Sequence, residues 1–266
     1  RGKRNGRVLL ISDITEQKRA QIQITEASRL KSQLLANLGH DLRSPLGAII
    51  GYAEMLNDGS FGPMSENQVK ASSEILDGAN QLLSFINNLV GQAQIETGRI
   101  VLREYPFDVN EVIGPLLSTL NFHAYKKGLK LIEYIDPALP QKLFGDQFWL
   151  RQIVMNLVHN AVKFTEKGSV TVRFLKRGQD SWLIQVVDTG IGIPLESQKR
   201  VFEAFEQVSS MENSKQSGFG LGLSIVAKLT SIMGGRIELE SQEGKGCTFT
   251  VVLPLKEVPE EQKNAG

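Results

Sequence analysis

Two stretches of the chain carry side chains whose types and spacing suit phosphoryl chemistry. In Gly39-His40-Asp41-Leu42-Arg43-Ser44-Pro45-Leu46, one of only three histidines stands beside an acid and just ahead of a proline inside a helical pattern. A neutral imidazole is a competent nucleophile near neutral pH, and Asp41 is placed to accept from its other ring N–H and fix the tautomer. Pro45 has no N–H for the carbonyl of Asp41, and its ring crowds the same turn, so a bend is expected beside His40. In the second stretch, "NLVHNAVKFT", Asn156, Asn160 and Lys163 are spaced by four and then three residues, which puts them on one stripe of a helix. Carboxamide oxygens are hard ligands suited to Mg2+, and an ammonium suits phosphate as a point charge. Taken alone, such a stripe is more often a solvated polar face.

The residues beyond this helix overturn that default. "VVDTGIGI" places Asp188 at the end of an apolar run, where a carboxylate can accept from an exocyclic amine, with Gly190 and Gly192 flanking Ile191 and Ile193 next. Glycines there allow a backbone to approach a flat ring closely. "SGFGLGLSI" then supplies Gly218, Gly220, Leu221 and Gly222 at the mouth of a further helix, where free backbone N–H groups favour phosphate. A lone glycine triplet is weak support, but the three elements in this order are much stronger.

The elements that must carry these residues are legible from periodicity. Ile24, Ala27, Leu34, Leu38, Leu42, Leu46, Ile49, Ala53 and Leu56 recur at threes and fours, predicting a helix over 15–56. "NDGSFGPMSEN" breaks it, and Ser65 with Gln68 forms a capping-box pattern for a second helix running to about Thr97, where Gly98 stops it. Two helices make too small a core, so the hairpin is expected to pair with a second copy as a four-helix bundle. Beyond it the pattern is α+β. Helices are expected near 108–126, 146–164 and 219–233, the second capped by Asp146. Strands are expected near 129–135, at "SVTVRFLK", "WLIQVVD", "RIELES" and "CTFTVVLPL".

Composition excludes several function classes. Thirty Lys+Arg against 29 Asp+Glu leave a net charge of +1, which gives no electrostatic basis for nucleic acid or an acidic membrane as the main partner. Cys247 is the only cysteine, so an internal disulfide and a cysteine metal cage are both excluded. No stretch approaches the roughly 20 apolar residues that span a bilayer. Residues 1–13 read as a strand rather than a secretory signal, and a sensor or membrane anchor is expected upstream of it.

Together these motifs resemble the histidine kinases of two-component systems. "LLANLGHDLRSPL" is similar to the family's H box, "NLVHNAVKFT" to its N box, "DTGIGI" and "GFGLGL" to its glycine boxes, "VFEAFEQ" to its F box, and "EGKGCTF" to the glycine-threonine turn closing the site. The resemblance implies a dimerising helical hairpin followed by a Bergerat-type α/β sandwich that binds ATP beneath a lid spanning about 194–219. By the same resemblance His40 is the phosphoacceptor, Asp41 its helper, and Ser44, where the family has Thr or Asn, orients a water for dephosphorylating a response regulator. Asn160 ligates Mg2+, and Asn156 and Lys163 lie near the phosphates. Asp188 reads the adenine amine, Gly190, Gly192, Ile193, Gly218, Gly220, Leu221, Gly222 and Thr248 line the nucleotide, and Phe202 and Phe205 seat the lid. "DITE" at 13–16 resembles the exit of a PAS sensor domain.

The expected organisation is therefore 1–14 as the end of a PAS-like domain, 15–33 as a signalling helix, and 34–97 as the phosphotransfer hairpin. A linker at 98–105 leads to the catalytic domain at 106–256 and a tail at 257–266. The expected partners are a second copy of the chain and the receiver domain of a response regulator, with no nucleic acid and no membrane contact by this segment. The expected location is the cytoplasm, with the full-length protein free to be membrane-anchored. Two rivals share the nucleotide motifs. One is a gyrase- or MutL-type ATPase clamp, which needs a glutamate where Asn156 stands, and the other is a catalytically silent kinase-like scaffold. A serine kinase of the same superfamily would need no hairpin histidine.

Overall fold

The long apolar stripe at the amino end does fold as a continuous helix, α1 (Thr15–Asn57), and Pro45 lies inside it rather than ending it. The computed structural model describes residues 14–96, 100–206 and 220–256. The strand expected over 7–13, the stop at Gly98, Gly218 and the tail at 257–266 lie outside them. α2 (Glu66–Glu96) begins after Ser65, whose N–H and hydroxyl both donate to Gln68 Oε1, at 2.8 and 3.0 Å, giving the side-chain half of the expected capping box. Between the helices the chain turns through Gly59 and Gly62, both at positive φ.

The chain divides into two units, Arg1–Ile86 with Glu96–Arg99, and Asn87–Ile95 with Ile100–Gly266. Within the first, the apolar stripes split. Leu46, Ala53, Ala79 and Ile86 are buried between the helices, and Ser72 Oγ donates to the Ala53 carbonyl at 3.1 Å. Leu34, Leu38, Leu42, Ile49, Ile75 and Leu82 remain exposed. The small Ala53 and Ser72 let the two backbones approach where they bond, while Leu46 and Ile86 share the buried stripe with Ala79.

The second unit is built on a five-stranded sheet in the order β2 (Lys130–Ile135), β4 (Ser169–Arg177), β5 (Ser181–Asp188), β7 (Gly246–Pro254), β6 (Arg236–Gln242). The β2–β4 pair is parallel and the others antiparallel. Helices α3 (Val109–Lys126), α4 (Gln147–Phe164) and α5 (Gly222–Ile232) supply the apolar partner for its inward side chains. Ile113, Ile153, Val158, Phe174, Ile184, Val186, Ile225, Leu229 and Val251 are wholly buried there. α5 starts at Gly222 rather than near 219, because Gly220 is at φ +67 and cannot continue a right-handed helix.

A second, two-stranded sheet was not expected. β1 (Tyr105–Asp108) pairs antiparallel with β3 (Lys142–Gly145), so the end of the expected linker at 98–105 is already part of the domain. Asp146 ties the arrangement together. Its Oδ1 accepts the N–H groups of Phe148 and Trp149, capping α4, while its Oδ2 accepts Arg103 N–H at 2.7 Å.

Candidate functional site

α4 presents its polar stripe because Ile153, Val154, Leu157, Val158 and Ala161 are committed to the core. Asn156 is nonetheless 6% exposed, and its Nδ2 has no hydrogen-bond partner. Burying an amide without a partner is costly, so a ligand atom is the natural complement. Across from it lies the start of α5. A Cβ on Gly222 would sit 3.6 Å from both Asn156 Oδ1 and Asn160 Nδ2, so the two amides face the first turn of that helix across a gap only a glycine leaves open. A helix mouth with free N–H groups and a positive dipole end suits a phosphate. Leu221, 1% exposed, anchors the turn from inside, its carbonyl accepting Ile225 N–H and Ser224 Oγ.

Lys163 stands at the end of the same stripe, half-buried, its Nζ 4.7 Å above the Phe164 ring. Burial, and secondarily the ammonium of Lys127, hold its pKa below the ordinary lysine value. An anion beside it would reverse that penalty. Lys127 is occupied elsewhere, its Nζ donating to the carbonyls of Val162 and Lys163 at the end of α4.

Asp188 ends β5 on the helix-covered side of the sheet, 6% exposed. Its Oδ1 accepts Gly190 N–H at 2.8 Å and Cys247 N–H at 3.3 Å. Burial raises its pKa, opposed by these two backbone bonds and by the adjacent Cys247 side chain. The glycines beside it serve the protein's own backbone first. A Cβ on Gly190 would lie 2.4 Å from Phe164 O, one on Gly192 (φ +71) 2.1 Å from Gln242 O, and one on Gly246 (φ +96) 2.0 Å from Asp188 O. Ile193, 8% exposed, donates its N–H to Ser241 Oγ.

Several expected residues fall elsewhere. Thr248 pairs with Val187 in the β5–β7 register, and Val187 alternates with Asp188, so Thr248 lies on the opposite face of the sheet from the carboxylate. Cys247 occupies the inward position instead. Its place was readable, since it shares strand parity with Phe249, Val251 and Leu253, but Val252 blurs that alternation. Phe202 is packed edge-on against Phe249, with ring centroids 6.4 Å apart, whereas Phe205 is 64% exposed at φ +66. Phe205 holds the loop through its backbone, its N–H donating to Gly220 O at 3.0 Å, and the neighbouring Arg200–Glu206 pair closes the turn at 2.7 Å. In the first unit, His40 lies within α1, followed by Asp41 and Ser44 on its exposed surface. His123 has a ring nitrogen bonded to Thr119 O, and Ser241 and Gln198 join the site without having been anticipated.

Comparisons with known proteins place both units in known families. Residues 145–257 match the family described as Histidine kinase-, DNA gyrase B-, and HSP90-like ATPase, and residues 30–98 match the His Kinase A (phospho-acceptor) domain. The signal transduction histidine-protein kinase BarA of Escherichia coli K12 is 37% identical over 236 residues, which is 87% of this chain and 25% of that protein. The aerobic respiration control sensor protein ArcB of the same organism is 34% identical over 265 residues, 99% of this chain and 34% of the relative. The chain thus spans a quarter to a third of the length of these relatives. Among solved structures, full-length ShkA in complex with AMPPNP superposes with a TM-score of 0.64 at 29% identity, over 85% of this chain and 46% of that one.

Proposed function

The chain belongs to the histidine kinase family, joining its phosphoacceptor domain to its ATPase domain, and on that premise we propose that it phosphorylates His40 from ATP and passes the phosphoryl group to a response regulator. The observation that carries the nucleotide half is the pair of α4 amides, Asn156 through Oδ1 and Asn160 through Nδ2, each 3.6 Å from where a Cβ on Gly222 would stand at the mouth of α5. Asp188 accepts from the exocyclic amine of adenine. Lys163 neutralises phosphate charge, Asn156 hydrogen-bonds the phosphates, and the N–H groups opened by Gly220 and Gly222 cradle them.

Mg2+ suits this donor set only together with the nucleotide. Among the described residues no cluster of three or more His, Cys, Asp or Glu is arranged to hold a metal. Asn160 would hold the ion through its carboxamide oxygen, a hard donor suited to Mg2+. The ion's contribution is to neutralise charge on the transferring group; the chain's own residues position the reactants.

His40 attacks the γ-phosphorus through one ring nitrogen while Asp41 accepts from the other ring N–H. A P–N bond forms, the bond to the bridging oxygen breaks, and ADP departs. The phosphoryl group is then transferred to an aspartate of the receiver domain, and Ser44 orients the water that later removes it. The exposed leucines and isoleucines of α1 and α2 meet those of a second copy in a four-helix bundle, and an upstream sensor feeds the signal into α1. Within the described residues no helix is long and apolar enough to cross a membrane. A gyrase-type clamp is disfavoured because Asn156 is an amide and cannot serve as the general base.

The test is incubation with γ-labelled ATP and Mg2+. The bound label should be acid-labile and alkali-stable, and His40→Gln should abolish it while leaving nucleotide affinity intact. Label persisting in that variant removes His40 from the mechanism.

A further inference from the structure

Helix α4 carries Asn156, Asn160 and Lys163 on its carboxy-terminal half, and its amino-terminal half is fastened to chain that precedes the sheet. Asp146, 5% exposed, divides its two oxygens between two tasks. Oδ1 accepts Phe148 N–H at 3.0 Å and Trp149 N–H at 3.2 Å and so caps the helix, while Oδ2 accepts Arg103 N–H at 2.7 Å. In the second turn, Gln152 Nε2 donates to Asn88 Oδ1 at 3.0 Å. Asn88 lies in Asn87–Ile95, the last turns of α2, which belong to the same unit as α4. An ion pair between Glu104 and Lys256, just beyond β7, pins the residue after Arg103 as well.

Capping a helix takes one acceptor oxygen, so it does not account for the second bond of Asp146. Beyond Gln152 the helix is clamped against the core by Ile153, Val154, Leu157 and Val158, each at most 1% exposed. Asn156 and Asn160 follow Asp146 by ten and fourteen residues, about 15 and 21 Å along the axis at 1.5 Å per residue. A close-packed interior has no slack to take up a displacement. Movement of the capped end therefore reaches the amides. By linkage, a ligand that fixes the amides steadies the fastened chain by the same free energy.

We propose that Asp146 and Gln152 are positioning residues for phosphoryl transfer, coupling the chain that enters the ATPase domain to the nucleotide amides at the other end of α4. This rests on the assignment of the nucleotide to Asn156 and Asn160, and the experiment separates the two. The full chain, Asp146→Asn and Gln152→Ala are each checked for cooperative thermal unfolding, titrated with ADP by calorimetry, and labelled at saturating γ-labelled ATP with Mg2+. Asparagine caps a helix as well as aspartate does, but it has a single acceptor oxygen, so the bond from Arg103 N–H is lost. Gln152→Ala removes the bond to Asn88 from a half-buried position outside the core. Both variants should bind ADP within about twofold of the parent yet incorporate label about tenfold more slowly, as a small misplacement of reacting groups would cause. In hydrogen exchange, ADP should slow the amides of residues 100–104 in the parent, although none of them belongs to the nucleotide site, and the effect should vanish in Asp146→Asn.

A merely structural role would lower Tm and ADP affinity along with labelling, and that result overturns the proposal. So does unchanged labelling in both variants. A parent that binds ADP without slowed exchange over 100–104 also overturns it, with the nucleotide assignment left standing. A parent that does not bind ADP overturns both. Should Asp146→Asn not unfold cooperatively, Gln152→Ala and the parent's hydrogen exchange decide between them.

Discussion

Replacing Gly222 by alanine separates the space a ligand needs from the space the fold needs. Gly222 is outside the left-handed region, and its added Cβ would meet Asn156 Oδ1 and Asn160 Nδ2 at 3.6 Å and Asn156 Cγ at 3.7 Å, ordinary van der Waals contact. Neither strain nor a clash opposes the methyl group. Alanine is favoured over glycine in helices by up to about 1 kcal/mol, and less at a first helical residue, so Tm should stay within about 4 °C of the parent. A bound phosphate experiences the change differently, because the methyl fills the gap between the first N–H groups of α5 and the two amides of α4. Losing one charge-assisted backbone bond costs about 1.5–3 kcal/mol, which is roughly a 10- to 100-fold rise in Kd for ADP. Titration calorimetry beside thermal unfolding reads both quantities on one preparation. A variant with normal Tm and undiminished ADP affinity would refute the placement of phosphate at this helix mouth.

Gly192→Ala should behave in the opposite way. Its Cβ would lie 2.1 Å from Gln242 O at φ +71, and the left-handed penalty of about 1–2 kcal/mol adds to that collision, so the thermal midpoint should fall with or without nucleotide. Burial pushes the Cys247 thiol up to about 11, with Ser241 partly offsetting it. The native state therefore keeps a proton that the unfolded chain releases from about pH 9, and this contribution to stability is intact below pH 9 and declines as pH rises toward 11. The fall in Tm between pH 8 and pH 10.5 should be shallower for Cys247→Ser, and equal slopes would contradict the assignment. Ile75→Glu with Leu82→Glu alters side chains already 53% and 46% exposed within a single hairpin. The double variant should stay folded yet sediment as a monomer, and an unaltered dimer would move the interface elsewhere.

The legibility of the fold and the site in the sequence depends on the range of the forces involved. Periodicities of threes and fours placed His40 on a helix and Asn156, Asn160 and Lys163 on one stripe, because helical geometry is set by neighbours within a few residues. Asp188 at a strand end and Gly220 before a helix were readable for the same reason. Strand pairing is a different matter. The partners of β1 and β3 lie more than thirty residues apart in the chain, and nothing local in "YPFD" or "KLFG" announces them.

Sequence alone determined which chemistries are available: an imidazole beside an acid, carboxamides at helical spacing, a carboxylate among glycines, and no cysteine pair. Tertiary structure decided which of these face one another. The β5–β7 register chose Cys247 over Thr248, since a strand turns successive side chains to opposite faces and one residue changes the outcome. The approach of α5 to α4 turned Asn156 from a surface amide into a buried one with an unmet donor. The close backbone contacts at Gly190, Gly192 and Gly246 made those glycines requirements of packing as well as of binding. Such outcomes depend on contacts between residues distant in the chain, which no local pattern of residues encodes.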